Sequence, residues 1–338
     1  MGRDLASSMS SAEFGVVVVE AFTPDALIGS LWRRLAAYLT DGLVLGVIGT
    51  VAGKLFLNAF ARLGLLGHLL GFCLAIGYFG WFDSRLGEAQ TLGKRWLKLK
   101  VVDAQGSTLS LSRAIIRSVI FCVPVYLLGL DLPMTRTPWG VSSLVTAIVY
   151  GLGGSTLYLL ILGSPARQGF HDVAVGSYVV GAGEPGSVAA KPIPGAHWVV
   201  LGSLLLLLAA VSVLFQRKVE ALPSFRRMYH DAAVIEQIRG VQRAVVQDAL
   251  LHDPSTGAAR KTLRVSIILS DKNVNQKALA EKAAKLILQN DPLTQRYDEI
   301  NVRTFSGYDI GIASHWNHQD FTHTPKEWGN ISFAARFQ

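Results

Sequence analysis

The stretch Trp198–Phe215, "WVVLGSLLLLLAAVSVLF", decides the class of this protein because it is long, apolar and free of charge. About 20 such residues cross the hydrocarbon core of a bilayer as a helix. Four more apolar runs precede it, at Leu35–Phe56, Leu63–Phe82, Ala114–Leu130 and Val141–Leu162. Only 17% of the 338 residues are charged, against about a quarter in soluble domains. The sequence therefore predicts a mainly α-helical membrane protein, with a four-span helical bundle, a fifth spanning helix and a small soluble domain behind them.

Lys and Arg residues predict how these spans are oriented. Arg33 and Arg34 precede the first span, and residues 83–117, between the second and third, form the most basic connector. Since cytoplasmic loops carry an excess of Lys and Arg, we predict a cytoplasmic N-terminus and, after five spans, a C-terminal domain outside the cytoplasm. Four basic residues that follow the last span oppose this orientation: Arg217, Lys218, Arg226 and Arg227.

The chain divides into five predicted segments. They are an N-terminal cytoplasmic segment (1–27), a membrane domain with four spans (28–182), a linker (183–197), a fifth transmembrane helix (198–215) and a soluble α/β domain (216–338). The first segment lacks the apolar core and the cleavage site of a signal peptide, so the first span is expected to direct insertion. The linker is rich in Gly, Pro and Ala and has no periodicity, which is typical of an irregular connection.

Short elements are predicted outside the spans. "WLKLKVVDAQGSTLSL" alternates apolar and polar residues around a turn at Asp103–Gly106, which predicts a hairpin. The strand-like end of "RQGFHDVAVGSYVV" is expected to pair with it at the membrane surface. In the tail, apolar residues three or four apart predict a helix over Phe225–Leu251. A strand ("TLRVSIIL"), an amphipathic helix ("NQKALAEKAAKLILQ") and two strands around a Ser306–Asp309 turn should follow, an order that indicates a small α/β sandwich.

Arg34, just before the first predicted span, and Asp41, inside it, form a charged pair in the sequence. They are seven residues apart, about two helical turns, so they lie on one face. Charged groups inside spans usually face the bundle interior and often mark ion or substrate paths. A polar clamp between helices or onto a loop backbone is the other interpretation, because hydrogen bonds between spans are common. The sequence leaves both open.

A glycine stripe runs beside this polar face. Its members are Gly42, Gly46, Gly49 and Gly53. Small residues let helices approach closely, so the stripe predicts tight helix packing. Gly64, Gly67 and Gly71 of the second span are expected to supply the facing surface.

The remaining chemistry-bearing residues do not indicate an enzyme. His315, His318 and His323 lie close together in the tail, but a metal site needs more ligands and support around them, so a solvated aromatic loop is the preferred interpretation. We expect no metal and no cofactor. Cys73 and Cys122 lie inside predicted spans and indicate no disulfide framework. The net charge of +8 is interpreted as topology and contact with anionic lipid, so no nucleic-acid partner is expected.

Three segments together resemble the RDD family of bacterial membrane proteins over about residues 28–182. They are "RRLAAYLTDGLVL", "GEAQTLGKRWLKLKVVDAQGSTLSLSRAIIRS" and "RQGFHDVAVGSYVV". The family is named for one arginine and two aspartates, and the resemblance matches its arginine to Arg34 and its first aspartate to Asp41. The "HD" element matches His171 and Asp172. The "TLGKR" element matches a cytoplasmic loop motif that includes Thr91, Gly93, Lys94 and Arg95; without the resemblance, this loop would be taken as a solvated segment near lipid headgroups.

The resemblance implies a bacterial inner-membrane protein, and transport of ions or unidentified ligands is the role suggested for the family. One hypothesis is therefore a transporter of an ion or small solute, in which Asp41 titrates or binds the ion, Arg34 is its electrostatic neighbour and Asp172 is a gate or a second site at the cytoplasmic mouth. The alternative is a non-enzymatic anchor or scaffold that presents its C-terminal periplasmic domain to a partner in envelope assembly or sensing. The fifth span and the tail depart from simple members of the family and favour the alternative. Expected partners are the lipid bilayer and a second copy or a membrane-complex protein.

Overall fold

The computed structural model describes residues 28–128, 139–163, 166–183, 187–188, 191–252, 259–271 and 273–331. The predicted N-terminal segment 1–27 and most of the loop after the third predicted span lie outside them. The membrane part contains helices α1 (Leu31–Leu55), α2 (Leu57–Leu63), α3 (Leu65–Phe82), α4 (Leu92–Trp96), α5 (Leu111–Leu128), α6 (Trp139–Tyr158), α7 (Phe170–Val175) and α8 (Gly195–Ala221). Two strands, β1 (Leu99–Asp103) and β2 (Ser177–Gly181), lie between them in sequence.

Three described helices are long and apolar enough to cross a membrane: Leu31–Leu55, Gly140–Gly163 and Gly195–Ala221. They confirm the first, fourth and fifth predicted spans. The second corresponds to a pair, Leu57–Leu63 and Leu66–Phe82, which is bent by 108° at its break. The third corresponds to α5, which carries two arginines and Pro124 and is not among the three. By length and composition, the described residues thus contain three candidate spans, or up to four if the bent pair counts as one span, where five were predicted.

A small two-stranded sheet lies at the N-terminal end of α1. β1 and β2 pair in antiparallel register from Leu99↔Gly181 to Asp103↔Ser177, as the sequence predicted. The chain turns at Asp103–Gly106, and Val102↔Thr108 is the one bridge that returns to β1, while Leu109 bridges Ser84 before α5 begins. The expected hairpin is therefore cut short, and β2 pairs along the other edge of β1.

The tail forms an α/β domain with helices α9 (Pro223–Ile235), α10 (Gln276–Asn290) and α11 (Pro325–Asn330). Its strands are β3 (Val241–His252), β4 (Ala259–Leu269), β5 (Glu299–Asp309) and β6 (Ser314–His323), in the spatial order β3-β4-β5-β6. The central pair β4–β5 is parallel and the outer pairs are antiparallel. α9 and α10 bury Ile235 and Ile287 against one face of this sheet, in a core that includes Val265 and Val302.

Two predictions in the tail are wrong. The helix expected over Phe225–Leu251 ends at Ile235, and Val241–His252 is a strand. Gly240, with φ of +93°, lies in the turn between α9 and β3, and the β-branched residues after it pair with β4. The turn expected at Ser306–Asp309 lies further on, because β5 continues to Asp309 and pairs with β6 as far as Ser314.

The turn between β5 and β6, Asp309–Ala313, lies between α1 and α3. A Cβ added at Gly49 would lie 2.8 Å from Cβ of Ala313, and one at Gly71 would lie 1.7 Å from the carbonyl oxygen of Ile310. A Cβ added at Gly67 would lie 2.4 Å from the carbonyl oxygen of Asp309, and one at Gly53 would lie 1.6 Å from the hydroxyl oxygen of Tyr308. The glycines expected to bring the two helices together instead admit the tail hairpin between them, which corrects the predicted helix packing.

Candidate functional site

Asp41 lies buried in the N-terminal half of α1, where three donors occupy its carboxylate. The Tyr78 hydroxyl of α3 donates to Oδ1 at 2.7 Å, and the Thr91 hydroxyl donates to Oδ2 at 2.6 Å. The backbone N–H of Gly93 also donates to Oδ1, at 2.8 Å. Since a buried carboxylate is costly without such donors, this arrangement joins α1 to α3 and to the segment that carries α4.

The sequence "TLGKR" has the residue types this contact requires. Thr91 is the N-cap of α4, and its hydroxyl accepts from the backbone N–H of Lys94 while donating to Asp41. A Cβ at Gly93 would lie 2.2 Å from the carbonyl oxygen of Ala37, so only glycine brings this backbone against α1. The motif is a docking segment for α1. It is not the solvated loop of the alternative interpretation, because Thr91, Gly93 and the Lys94 side chain are buried.

Arg34 does not contact Asp41. Its guanidinium donates to three backbone carbonyls, those of Gly29 at 3.1 Å, Val179 at 2.7 Å and Arg167. These carbonyls belong to the residues before α1, to β2 and to the segment before α7. The prediction that Arg34 and Asp41 lie on one face of the helix was correct. The two side chains nevertheless bind different segments and form no ion pair with each other.

The ion pairs of this region centre on Arg117, which lies near the start of α5. Its Nη1 is 2.6 Å from Asp83 and its Nε is 2.8 Å from Asp172, and all three side chains are buried. Lys94 also pairs with Asp83. Burial alone would raise the pKa of Asp172, but the Arg117 guanidinium holds that pKa well below its usual range. The ends of α3, α4, α5 and α7 are thereby held together by charge.

His171 lies beside Asp172 at the start of α7. Its Nε2 is 3.5 Å from Asp172 Oδ2, and its ring meets Phe121 edge-on at a centroid distance of 5.0 Å. Among the described residues, its Nδ1 has no hydrogen-bond partner. Burial lowers the pKa of this imidazole to about 4, so it is neutral at neutral pH. A neutral imidazole fits a packing role beside an aromatic ring.

Of the predicted site residues, the structure brings Asp41, Thr91 and Gly93 into direct contact and places His171 and Asp172 in a neighbouring cluster. Arg95 lies at its edge, half-exposed, 3.2 Å from Glu88. Sequence reasoning missed Tyr78, Asp83 and Arg117 as members. Asp83 and Arg117 had a signal, because they are charges at the ends of apolar helices and such charges need partners. Tyr78 had none, since a tyrosine in an apolar run is usual.

The tail histidines are not brought together. His315 and His318 are an odd number of residues apart on β6, so they point to opposite faces of the sheet. Within the described ranges, no group of three or more His, Cys, Asp or Glu side chains is placed to hold a metal ion. Cys73 and Cys122 are both free thiols.

Apolar helices of spanning length, with a buried polar cluster at one end, define a multi-span membrane protein. The model of the RDD family matches residues 28–176, which contain α1 to α7 and the whole polar cluster. The chain thus carries an RDD-family domain over those residues, as its motifs predicted. Comparison with curated proteins and with solved structures returns no match.

Proposed function

We propose that the chain is a non-enzymatic membrane scaffold. Its RDD-family domain holds the C-terminal domain in a fixed position on the outer side of the bacterial inner membrane, where that domain meets a protein partner or a second copy. The observation that carries this proposal is the engagement of Asp41 by Tyr78, Thr91 and Gly93. Three of the roughly four acceptor positions of the carboxylate are taken by protein donors that link structural elements, which favours a structural clamp over a site that releases and rebinds an ion.

The placement of the tail supports the same proposal. Its hairpin turn packs against the C-terminal half of α1 and the N-terminal part of α3, whereas the polar cluster lies at the other ends of both helices. The hairpin thus enters from the ends of α1 and α3 that are remote from the polar cluster, and its tip at Ile312 reaches the apolar cluster that contains Tyr78. Together with the basic connector between the second and third predicted spans, this favours a tail outside the cytoplasm.

The edge of the tail sheet offers a surface for a partner. β6 is the outer strand of the sheet, and all of its residues except Phe321 are exposed. An exposed edge strand accepts an added strand through backbone hydrogen bonds. A tail held in place by its own hairpin presents this edge in a constant orientation.

Neutralising Asp41 separates the scaffold from a transporter. The Asp41→Asn variant should lower the free energy of unfolding by about 1–3 kcal/mol, since buried donors lose their charged acceptor. The measurement is thermal unfolding in mild detergent, with Asp320→Asn as the matched control. Asp320 pairs with Arg303 on exposed strand surface, so its loss should cost less than about 1 kcal/mol.

Measuring ion flux into proteoliposomes is the experiment that can contradict the scaffold proposal. We expect no proton or cation flux from the wild-type protein or from Asp41→Asn. A wild-type flux that Asp41→Asn abolishes, at unchanged stability, would assign Asp41 to transport and end the scaffold proposal. Orientation is checked separately with Gln319→Cys in a chain without its native cysteines. A membrane-impermeant maleimide should label it in intact cells, and labelling only after permeabilisation would place the tail inside.

A further inference from the structure

The β5–β6 turn fills a cleft that two helices could otherwise close. Glycines line both walls, Gly46, Gly49 and Gly53 on α1, with Gly67 and Gly71 on α3. Each faces the tail hairpin, and added Cβ atoms would overlap the hairpin at all of them except Gly46, where the carbonyl oxygen of Ile312 lies at 3.7 Å. Such glycine surfaces also suit direct helix–helix packing. The same residues therefore serve two arrangements, one with the hairpin seated and one with the helices closed on each other.

The seated turn reaches far along α1. Gly46 lies nine residues before the end of α1, about 13 Å along the helix axis. Polar backbone at such depth is tolerated only when protein covers it. Within the turn, Gly311 N–H donates to Asp309 Oδ1 at 2.8 Å and Ile310 N–H donates to Ala313 O at 3.0 Å. The turn therefore satisfies part of its own backbone and needs the glycine walls to cover the rest.

A continuous set of contacts joins the turn to the polar cluster. Ile312 packs in one apolar cluster with Leu45, Ala75, Phe79 and Cys122. Tyr78, whose hydroxyl binds Asp41, belongs to the same cluster. Because the Tyr78–Asp41 hydrogen bond itself runs from α3 to α1, any change in the separation of these helices acts directly on it.

We propose that the turn Asp309–Ala313 is a removable wedge, whose seating between α1 and α3 sets the order of the docking segment Thr91–Leu97 at the opposite ends of these helices. With the wedge in place, α1 and α3 stand at the separation that the Tyr78–Asp41 bond requires. When the wedge leaves, the glycine walls approach and this bond is strained, so Thr91 and Gly93 lose their hold on α1. A force on the C-terminal domain that unseats the wedge is thereby transmitted along α1 and α3 to the docking segment. This inference does not depend on the scaffold role, which is tested by flux and stability of Asp41→Asn.

A disulfide can lock the wedge in place. Gly49→Cys and Ala313→Cys, in a Cys73→Ser, Cys122→Ala background, place two Cβ atoms 2.8 Å apart before relaxation. A disulfide needs about 3.8 Å, which a small shift of the turn supplies. Gly42→Cys with Ala313→Cys is the matched control, since Gly42 lies on the same glycine stripe but has nothing within 4 Å of its Cβ position. In membranes, oxidation should protect both thiols from maleimide in the first pair and neither in the control.

Hydrogen exchange of the full chain in lipid nanodiscs then compares the locked and the reduced forms of one protein. We expect the amides of Thr91–Leu97 to exchange several-fold faster in the reduced form. Equal exchange there, with a difference confined to residues around the turn, would overturn the coupling. If Gly49→Cys and Ala313→Cys form no disulfide, the turn is not seated between α1 and α3. Gly49→Leu, with Gly42→Leu as its control, should accelerate the same amides, and if Gly49→Leu does not fold, the disulfide pair still decides.

Discussion

The backbone N–H of Gly93 donates to the carboxylate of Asp41 at 2.8 Å, and it does so because Gly93 has no side chain to separate the two segments. An added Cβ would lie 2.2 Å from the carbonyl oxygen of Ala37 and 3.0 Å from Asp41 Oδ1. The close approach of α4 to α1 therefore requires a residue without a Cβ at position 93.

Gly93→Ala should destabilise the protein by about 3 kcal/mol, because it combines overpacking with the loss of a buried hydrogen bond. Thermal unfolding in detergent measures this. Gly42→Ala is the control, since its Cβ would meet nothing within 4 Å in the interior of a helix. It should be neutral or stabilise by up to about 1 kcal/mol. Equal effects of the two variants would mean that α4 is not docked against α1.

Arg117→Gln should cost about 3–5 kcal/mol at neutral pH, because it leaves Asp83 and Asp172 buried with one cation fewer. The folded-state pKa of Asp172 is below its ordinary value, so its ion pair contributes stability above pH about 4 and loses it as the pH falls further. The difference between wild type and variant should therefore shrink in acid.

The control for Arg117→Gln is Arg95→Gln, whose partner Glu88 is exposed, and the change should stay near about 0.5 kcal/mol. Thermal unfolding of both variants from pH 7 down to about pH 2 is the measurement, because the Asp172 contribution is lost only below about pH 4. A difference for Arg117→Gln that stays constant across this range would show that packing, and not charge, explains its cost.

Arg34→Lys should destabilise the region around β2 although it keeps the charge. A guanidinium spreads its donors over a planar fork, and here they reach the carbonyls of Gly29, Arg167 and Val179. A lysine amine cannot reach all three, so we expect a loss of about 2 kcal/mol. Arg33→Lys is the comparison, because Arg33 also donates to carbonyls but from an exposed position. Faster hydrogen exchange at residues 177–181 in Arg34→Lys alone would support this role.

Asp231→Asn should stabilise the C-terminal domain at neutral pH. Burial, together with the neighbouring Asp291, raises the pKa of Asp231 to about 6, and Oδ2 has no hydrogen-bond partner among the described residues. Because the folded-state pKa is above the unfolded value, the folded state favours the protonated carboxyl, and wild-type stability should fall as the pH rises from about 4 to about 6. The variant lacks this loss.

The gain from Asp231→Asn at pH 7.5 is at most about 3 kcal/mol, from a shift of about two units. It should nearly disappear at pH about 3, where Asp231 is mostly protonated in both states. Unfolding of the full chain at the two pH values measures it, and a gain of equal size at both would contradict a titrating Asp231.

Most of the spanning helices and the strands β1 and β2 were predictable because their signals are local. An uncharged apolar run specifies a span by itself, and an alternation such as Lys98, Leu99, Lys100 and Val101 specifies a half-buried strand. The residues Val241, Val245 and Ala249 mislead for the same reason. Their spacing of four fits a helix, yet antiparallel pairing with β4, the next strand in the chain, decides their conformation.

The partners of the site residues were harder to predict than the residues themselves. Arg34 and Asp41 share a helix face, and only the folded chain shows that the carbonyl of Val179 and the hydroxyl of Thr91 reach them. Gly307 misled in another way, because it indicated a turn. It lies within β5, where a Cβ would come 1.9 Å from the carbonyl oxygen of His315, so the glycine serves close strand contact.

The wedge has a consequence for the order in which the chain is made. Synthesis runs from the N-terminus, so α1 and α3 enter the bilayer long before Ile310 and Ile312 leave the ribosome. During that interval the glycine walls have no hairpin between them and are free to pack on each other. If they pack, seating of the β5–β6 turn has to reopen that contact within the membrane, and the turn is then the step that completes the first pair of helices.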